Sequence, residues 1–173
     1  MKALLIVDLQ NDFAKPGGAL YFPGAENVIP PIVELVERFK SNGLPIIYTQ
    51  DWHEDNDYEF TVWGTHCLHN SEGSEIVSEL STSLKGYSNV YEIRKSRYSA
   101  FYQTNLEDIL ASMNVDEVHV GGLVTHICVL FTVEELRNRG ITTYVHSECV
   151  DSFDKSMHEF ALKEMKEVLL ANV

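Results

Sequence analysis

Little in this chain would tie it to an oxidising compartment, a membrane or a nucleic acid. Cysteine is scarce: Cys67, Cys128 and Cys149 are three among 173 residues, an odd number far below the density of a disulfide scaffold, which points to a reducing compartment. No apolar run approaches the roughly 20 residues that a membrane helix needs. The opening Met1-Lys-Ala-Leu-Leu-Ile-Val-Asp8 lacks the longer apolar core and cleavage site of a secretory leader, so the expectation is a cytoplasmic protein. Basic side chains are also short. Thirteen Lys and Arg against 26 Asp and Glu leave a formal charge of −13 with no basic cluster, which argues against nucleic acid and anionic membrane surfaces as partners. Linkers, repeats and low-complexity tracts are missing too, so residues 1–173 are expected to form a single domain around one core.

What is present is an alternation of short apolar strands with helix-period segments. Strands are predicted at Ala3 to Val7, Pro45 to Thr49, Val90 to Ile93, Glu117 to Val120 and Thr142 to His146, with a sixth at Val168 to Leu170. A helix from Pro31 to Lys40 carries Ile32, Leu35, Val36 and Phe39 on one face and stops at Gly43. A short helix is expected near Glu75 to Leu80. Thr104 and Glu107 read as a capping box for a helix to about Met113. Two further helices run from Cys128 to Arg139 and from Lys155 to Met165. This β-α alternation predicts an α/β fold, doubly wound, with a mostly parallel six-stranded sheet and helices on both faces.

In such sheets ligands bind beyond the carboxyl ends of the strands. Those ends deliver Asp8, then Asp51 and His53, then Lys95, then Cys128. Cys128 follows a β-branched strand that breaks at Gly121-Gly122 and opens a helix, where unsatisfied N–H groups and the helix dipole favour a thiolate able to attack a carbonyl. A structural buried cysteine is the plainer use of such a residue, but an acid, an amine and a thiol converging on one edge favour catalysis. Asp8 could take the thiol proton and pass it to a leaving amine, and Lys95 could keep Asp8 ionised, stabilise the thiolate, or both. Asp51, His53, Glu59 and His66 supply oxygen and imidazole ligands that a loop can wrap around one divalent ion. Cys67 is expected to diverge from its neighbour His66 and take no part. His69, His119, His126, His146 and His158 have no such grouping and read as surface or structural.

The segments Ile6-Val-Asp-Leu-Gln-Asn-Asp-Phe13, Asp51-Trp-His53, Trp63-Gly-Thr-His-Cys67, Lys95-Ser-Arg-Tyr-Ser-Ala-Phe101 and Gly122-Leu-Val-Thr-His-Ile-Cys128 together resemble the isochorismatase-like cysteine hydrolases, and within them the nicotinamidase/pyrazinamidase branch. The resemblance implies Cys128 as nucleophile, Asp8 as proton shuttle and Lys95 as third triad member. It implies a cis Leu123–Val124 peptide, with the N–H groups of Val124 and Cys128 forming an oxyanion hole. It assigns Asp51, His53 and His66 to one metal ion, zinc with iron or manganese as alternatives. Phe13 and Trp63 become walls for a flat pyridine amide, with Tyr98 beside them as a further substrate contact. Relatives often carry another histidine soon after His53 and two prolines where Gly64-Thr65 stands here; Glu59 is the expected substitute ligand.

The expected activity is hydrolysis of nicotinamide, a small-molecule amide, to nicotinate and ammonia. An N-carbamoylsarcosine or ureido amidase, with Arg97 clamping a substrate carboxylate, is the alternative. Isochorismatase activity would leave the thiol without a role, and a non-catalytic binding protein would have no need of all three triad residues. Whether the chain forms a homo-oligomer is left open.

Overall fold

A computed structural model describes residues 1–173. Its strands are β1 (Lys2–Val7), β2 (Ile46–Asp51), β3 (Val90–Lys95), β4 (Glu117–Leu123) and β5 (Thr142–Asp151). The helices are α1 (Asn11–Ala14), α2 (Ile29–Ser41), α3 (Phe60–Trp63), α4 (Ser78–Leu84), α5 (Leu106–Ser112), α6 (Leu130–Asn138) and α7 (Lys155–Glu167). All strand pairs are parallel, in the order β3-β2-β1-β4-β5. The direction of winding therefore reverses between β1 and β4, and the crevice for ligands opens there.

Alternation along β1 divides the core. Leu4 and Ile6 pack with Ile32, Leu35, Val36 and Phe39 of α2 and with Leu80 and Leu84 of α4. Ala3, Leu5 and Val7 face the other way, onto Leu106, Leu110, Val133, Leu136, Ala161 and Met165 of α5, α6 and α7. Burying a Leu, Ile or Phe side chain contributes on the order of 2 kcal/mol, so both helical layers are held by many such contributions. No helix is long and apolar enough to cross a membrane.

The sheet has five strands, not six. Leu170 takes a positive φ of 55° and Val168 and Leu170 point into solvent, so the expected last strand is reduced to a single parallel bridge between Asn172 and Tyr144. β4 does not break at Gly121-Gly122. It continues to Leu123, with an irregularity opposite β5 that lets Gly122 pair with Val150 and Leu123 with Asp151. This extends β5 well past His146. The capping box on α5 is not formed: the N-cap is Asn105, Thr104 Oγ1 accepts from Leu106 N–H at 3.3 Å, and Glu107 is drawn to Arg139 at 3.0 Å. Cys128 lies within one π-helical turn, Thr125–Val129, that precedes α6. The predicted helix at Glu75 to Leu80 sits a few residues later, at α4.

Gly122 is what lets β1 and β4 approach at the catalytic edge. Its φ is +127°, and a Cβ there would lie 2.0 Å from the carbonyl oxygen of Val7, the residue that precedes Asp8. Backbone cannot yield as a flexible side chain could, and the conformation itself is open mainly to glycine. Gly122→Ala is expected to cost at least about 3 kcal/mol, read as a lower urea midpoint; a midpoint within error of the parent would show that the close approach is not needed.

Candidate active site

Lys95, the last residue of β3, has a fully buried side chain. Its ammonium lies 2.6 Å from Asp8 Oδ2 and 3.2 Å from Asp51 Oδ1, and 3.7 Å from the sulfur of Cys128. The register explains the convergence: Asp51 pairs with Lys95 across β2 and β3, and Val7 pairs with Gly122 across β1 and β4. Asp8 is fixed at a φ of 48° by Thr49, whose hydroxyl donates to Asp8 Oδ1 and accepts from the Asp8 N–H at 3.0 Å.

The electrostatics correct one expectation. Burial holds the Cys128 thiol well above the ordinary thiol range, and Asp8 and Asp51 reinforce this against the pull of Lys95. The resting group is a thiol, not the thiolate that a helix N-terminus alone would favour. Burial also raises Asp8 above the usual carboxylate range, with Lys95 opposing. Lys95 pays for its own burial through Asp51, Asp8 and Cys128, which together raise it well above an ordinary lysine. Asp8 is thus basic enough to accept a proton and close to the ammonium that stabilises it when ionised.

Beside this group the four residues Asp51, His53, Glu59 and His66 bring one ligand atom each to within 4.8 Å of one another, all buried. The loops carrying them are stitched together: His53 N–H donates to Cys67 O at 3.1 Å and His69 N–H to His53 O at 2.9 Å. His53 Nε2 lies 2.9 Å and His66 Nε2 3.3 Å from Asp51 Oδ2. Each imidazole is oriented from its far side. His53 Nδ1 meets Asp57 at 2.9 Å, and His66 Nδ1 meets the Gly64 carbonyl at 2.8 Å, which turns both Nε2 atoms toward the cluster as metal-binding histidines require. Glu59 Oε1 is buried without a hydrogen-bond partner, a cost that a cation would relieve. The donor set fits a divalent ion.

The adjoining cavity, of about 320 Å³, is lined by Phe13, Trp63, Tyr98, Val124, Ile127, Cys128 and a further aromatic, Phe153, among others. Trp63 Nε1 donates to the Tyr98 hydroxyl at 3.1 Å. The Leu123–Val124 peptide is cis, and the Val124 N–H has no partner within the protein. Arg97 is not where a substrate clamp would be: its guanidinium contacts both carboxylate oxygens of Asp57 at 3.0 and 3.1 Å, outside the cavity. Cys67 packs in the core with its thiol raised by burial.

Several contributors carried no obvious sequence signal. Gln10 is fully buried; its amide donates to Asp51 O and Ser74 O and accepts from the Asp51 N–H, each at 2.8 Å. Asp12 accepts from Cys67 N–H at 2.7 Å, tying α1 to the His66 loop. Asp57 stands four residues after His53, a spacing that could have flagged it inside the acidic run Glu54-Asp-Asn-Asp57. His158 and His126 brace the Cys128 turn through Thr125 and Ser152.

His53 generates a prediction. Burial opposes its charge, but Asp51 and Asp57 raise its pKa to about 9, so in metal-free protein the imidazolium is the form held at neutral pH. Because the folded pKa exceeds the unfolded value of about 6.5, this contribution to stability is complete below about pH 6.5 and is lost as pH rises through about 9. Zinc uptake at pH 7 should therefore release about one proton, seen as buffer-dependent heat in calorimetry. Buffer-independent heat would contradict the assignment.

Comparisons with known proteins place the fold and the family. A family model described as the Isochorismatase domain matches residues 2–173. The crystal structure of nicotinamidase PncA from Bacillus subtilis superposes with a TM-score of 0.94 at 36% identity, covering 99% of this chain and 98% of that one. N-carbamoylsarcosine amidase from Thermoplasma acidophilum gives 0.87 at 31%, covering 99% and 94%. Pyrazinamidase of Pyrococcus horikoshii in complex with zinc gives 0.87 at 33%, covering 95% and 94%. With the model spanning nearly the whole chain and the strand ends arranged as described, this protein belongs to the isochorismatase family.

Proposed function

We propose that the protein is an amidohydrolase that converts nicotinamide to nicotinate and ammonia through a thioester, with Cys128, Asp8 and Lys95 as its triad. The observation that carries this reading is the buried Lys95 ammonium between Asp8 and the Cys128 sulfur, at the wall of an apolar cavity sized for one small ring. Asp8 takes the thiol proton as sulfur attacks the amide carbon. The oxyanion that forms is met by the N–H groups of Val124 and Cys128, and such donors are worth about 3 kcal/mol each in other hydrolases. Asp8 then returns the proton to the departing nitrogen, releasing ammonia. In the second half Asp8 deprotonates the water that cleaves the thioester, and the thiol is restored. Lys95 keeps Asp8 ionised between these transfers.

Asp51, His53, Glu59 and His66 would hold the divalent ion, which would supply a Lewis-acidic position able to bind a ring nitrogen and so orient the amide. Two oxygen and two nitrogen donors accommodate zinc, iron or manganese. Phe13, Trp63 and Tyr98 offer aromatic surface to the ring. The three cysteines are all free and buried, in keeping with a cytoplasmic location.

The likeness to N-carbamoylsarcosine amidase keeps a second reading in view. Against it, the cavity lining contains no arginine, and its charged members at the ligand cluster, Asp51 and Glu59, are acidic. Arg97, the only clamp suggested by sequence, is committed to Asp57. A substrate carboxylate would find no guanidinium to pair with in the cavity.

Nicotinamide and pyrazinamide are expected to exceed benzamide in kcat/KM, and Cys128→Ala to lower ammonia release by about 10⁴-fold or more. Turnover of N-carbamoylsarcosine well above nicotinamide would overturn the substrate assignment. Arg97→Ala, which removes the group bracing Asp57 behind His53, should weaken zinc binding by about 10- to 100-fold in chelator competition; unchanged affinity would show that Asp57 orients His53 unaided.

A further inference from the structure

Phe153 lines the cavity and is half-exposed, which sets it at the rim, and it has no part in the reaction described above. Phe153 lies between β5 and α7, and its ring meets Phe22 and Trp63 edge-on, with centroids 6.3 and 6.1 Å apart. Three separate connections thereby converge over the opening: the segment after α1, helix α3, and the β5–α7 link. We propose that Phe153 is a specificity-determining gate, whose ring admits a single flat ring and turns away fused or larger ones. The proposal rests on the amidase reading given above.

The backbone on either side of Phe153 is anchored. Ser152 is fully buried, its N–H donates to Asp151 Oδ1 at 2.7 Å, and its hydroxyl is bonded to His126 Nδ1. Asp154 caps α7 by accepting from the N–H groups of Ser156 and Met157 at 2.9 and 3.1 Å. An aromatic residue just before an N-cap ordinarily packs on the fourth residue of the helix. Here that residue is His158, whose Nδ1 is engaged with Thr125 Oγ1 at 2.8 Å, and Phe153 turns over the cavity instead. The residue is 50% exposed, so one side has no packing to hold it and the side chain can move while the main chain stays fixed. His126, with its ring 5.0 Å from that of Phe153 and its nitrogen on Ser152, acts as a positioning residue that links the gate to the turn bearing Cys128.

The test compares kcat/KM for nicotinamide with that for quinoline-3-carboxamide, which keeps the ring nitrogen and amide in the same relation and adds one fused ring. Phe153→Ala should move the ratio toward the fused substrate by about tenfold or more, with nicotinamide losing efficiency chiefly through KM. Phe153→Leu should fall between parent and alanine, and Phe153→Trp should move the ratio the opposite way. His126→Ala should shift it in the alanine direction by less, with recovery in His126→Asn; an unmoved ratio in His126→Ala would overturn the positioning role. If the parent hydrolyses nicotinamide but Phe153→Ala leaves the ratio unchanged, the gate is overturned alone. If the parent fails to hydrolyse nicotinamide, the amidase reading falls and the gate with it.

Discussion

A lysine ammonium with no exposure to water is the constraint around which this molecule is arranged. An unpaired buried charge costs several kcal/mol even after relaxation, so Lys95 at the end of β3 is tolerable only with the carboxylates of Asp8 and Asp51 at 2.6 and 3.2 Å. Those carboxylates come from β1 and β2, and the thiol that completes the group follows β4. The four strands must therefore keep their register to within a residue, since a one-residue slip would turn a side chain to the opposite face. Gly122 permits the required approach of β1 and β4, and Gln10 locks the end of β1 to that of β2. Burial, reinforced by Asp8 and Asp51 against the pull of Lys95, holds the thiol protonated at rest, so under the proposed reading a neighbouring base, rather than a free thiolate, would govern its activation.

Carboxylates shape the ligand cluster too. Asp51 is shared: one oxygen faces Lys95 and the other faces both histidines. Glu59 adds a carboxylate whose pKa is raised by burial and by Asp51, so the cluster stores repulsion that a divalent cation would relieve. With a carboxylate as its fourth member, the donor set is harder and more anionic than one with three imidazoles, which favours cations with greater affinity for oxygen. Gly64 shows how the loop adapts. Its φ of 75° is closed to proline, and in that conformation its carbonyl reaches His66 Nδ1. That carbonyl thus orients one of the two imidazoles of the ligand cluster.

Much of this was legible in the sequence because it is written in local terms. Period-two and period-3.6 patterning located the first five strands and the helix faces, and the polar residues at strand ends marked the edge. The sixth strand was misread because three apolar residues look extended until a positive φ at Leu170 turns the chain. The continuation of β4 through Gly121-Gly122 was hidden because glycine usually weakens a strand, whereas here the space left by Gly121 receives Cys149. The thiol's protonation was misjudged for a related reason. A helix terminus can be seen in sequence, but burial beside two carboxylates is a property of the assembled edge. Asp57, Gln10 and Asp12 act through partners distant in sequence or folded back by a loop, and a linear pattern holds no record of those pairings.

Chemistry and selection are carried by different parts of the chain. The proposed triad stands on strand ends, where register and burial leave little freedom, while the cavity walls come from α1, α3 and the links after α1 and β5. Loops can change without disturbing the sheet, which is how one edge can serve nicotinamide in one relative and a carbamoyl compound in another. In this chain the cavity walls are largely aromatic, and Arg97 is committed to Asp57. That commitment places a guanidinium behind the ligand cluster, where its charge offsets Asp57 and Glu59. The residue that the rival reading would use as a clamp is thus engaged with the carboxylate behind His53, and under the proposed reading one ion pair would bear on both substrate choice and metal retention.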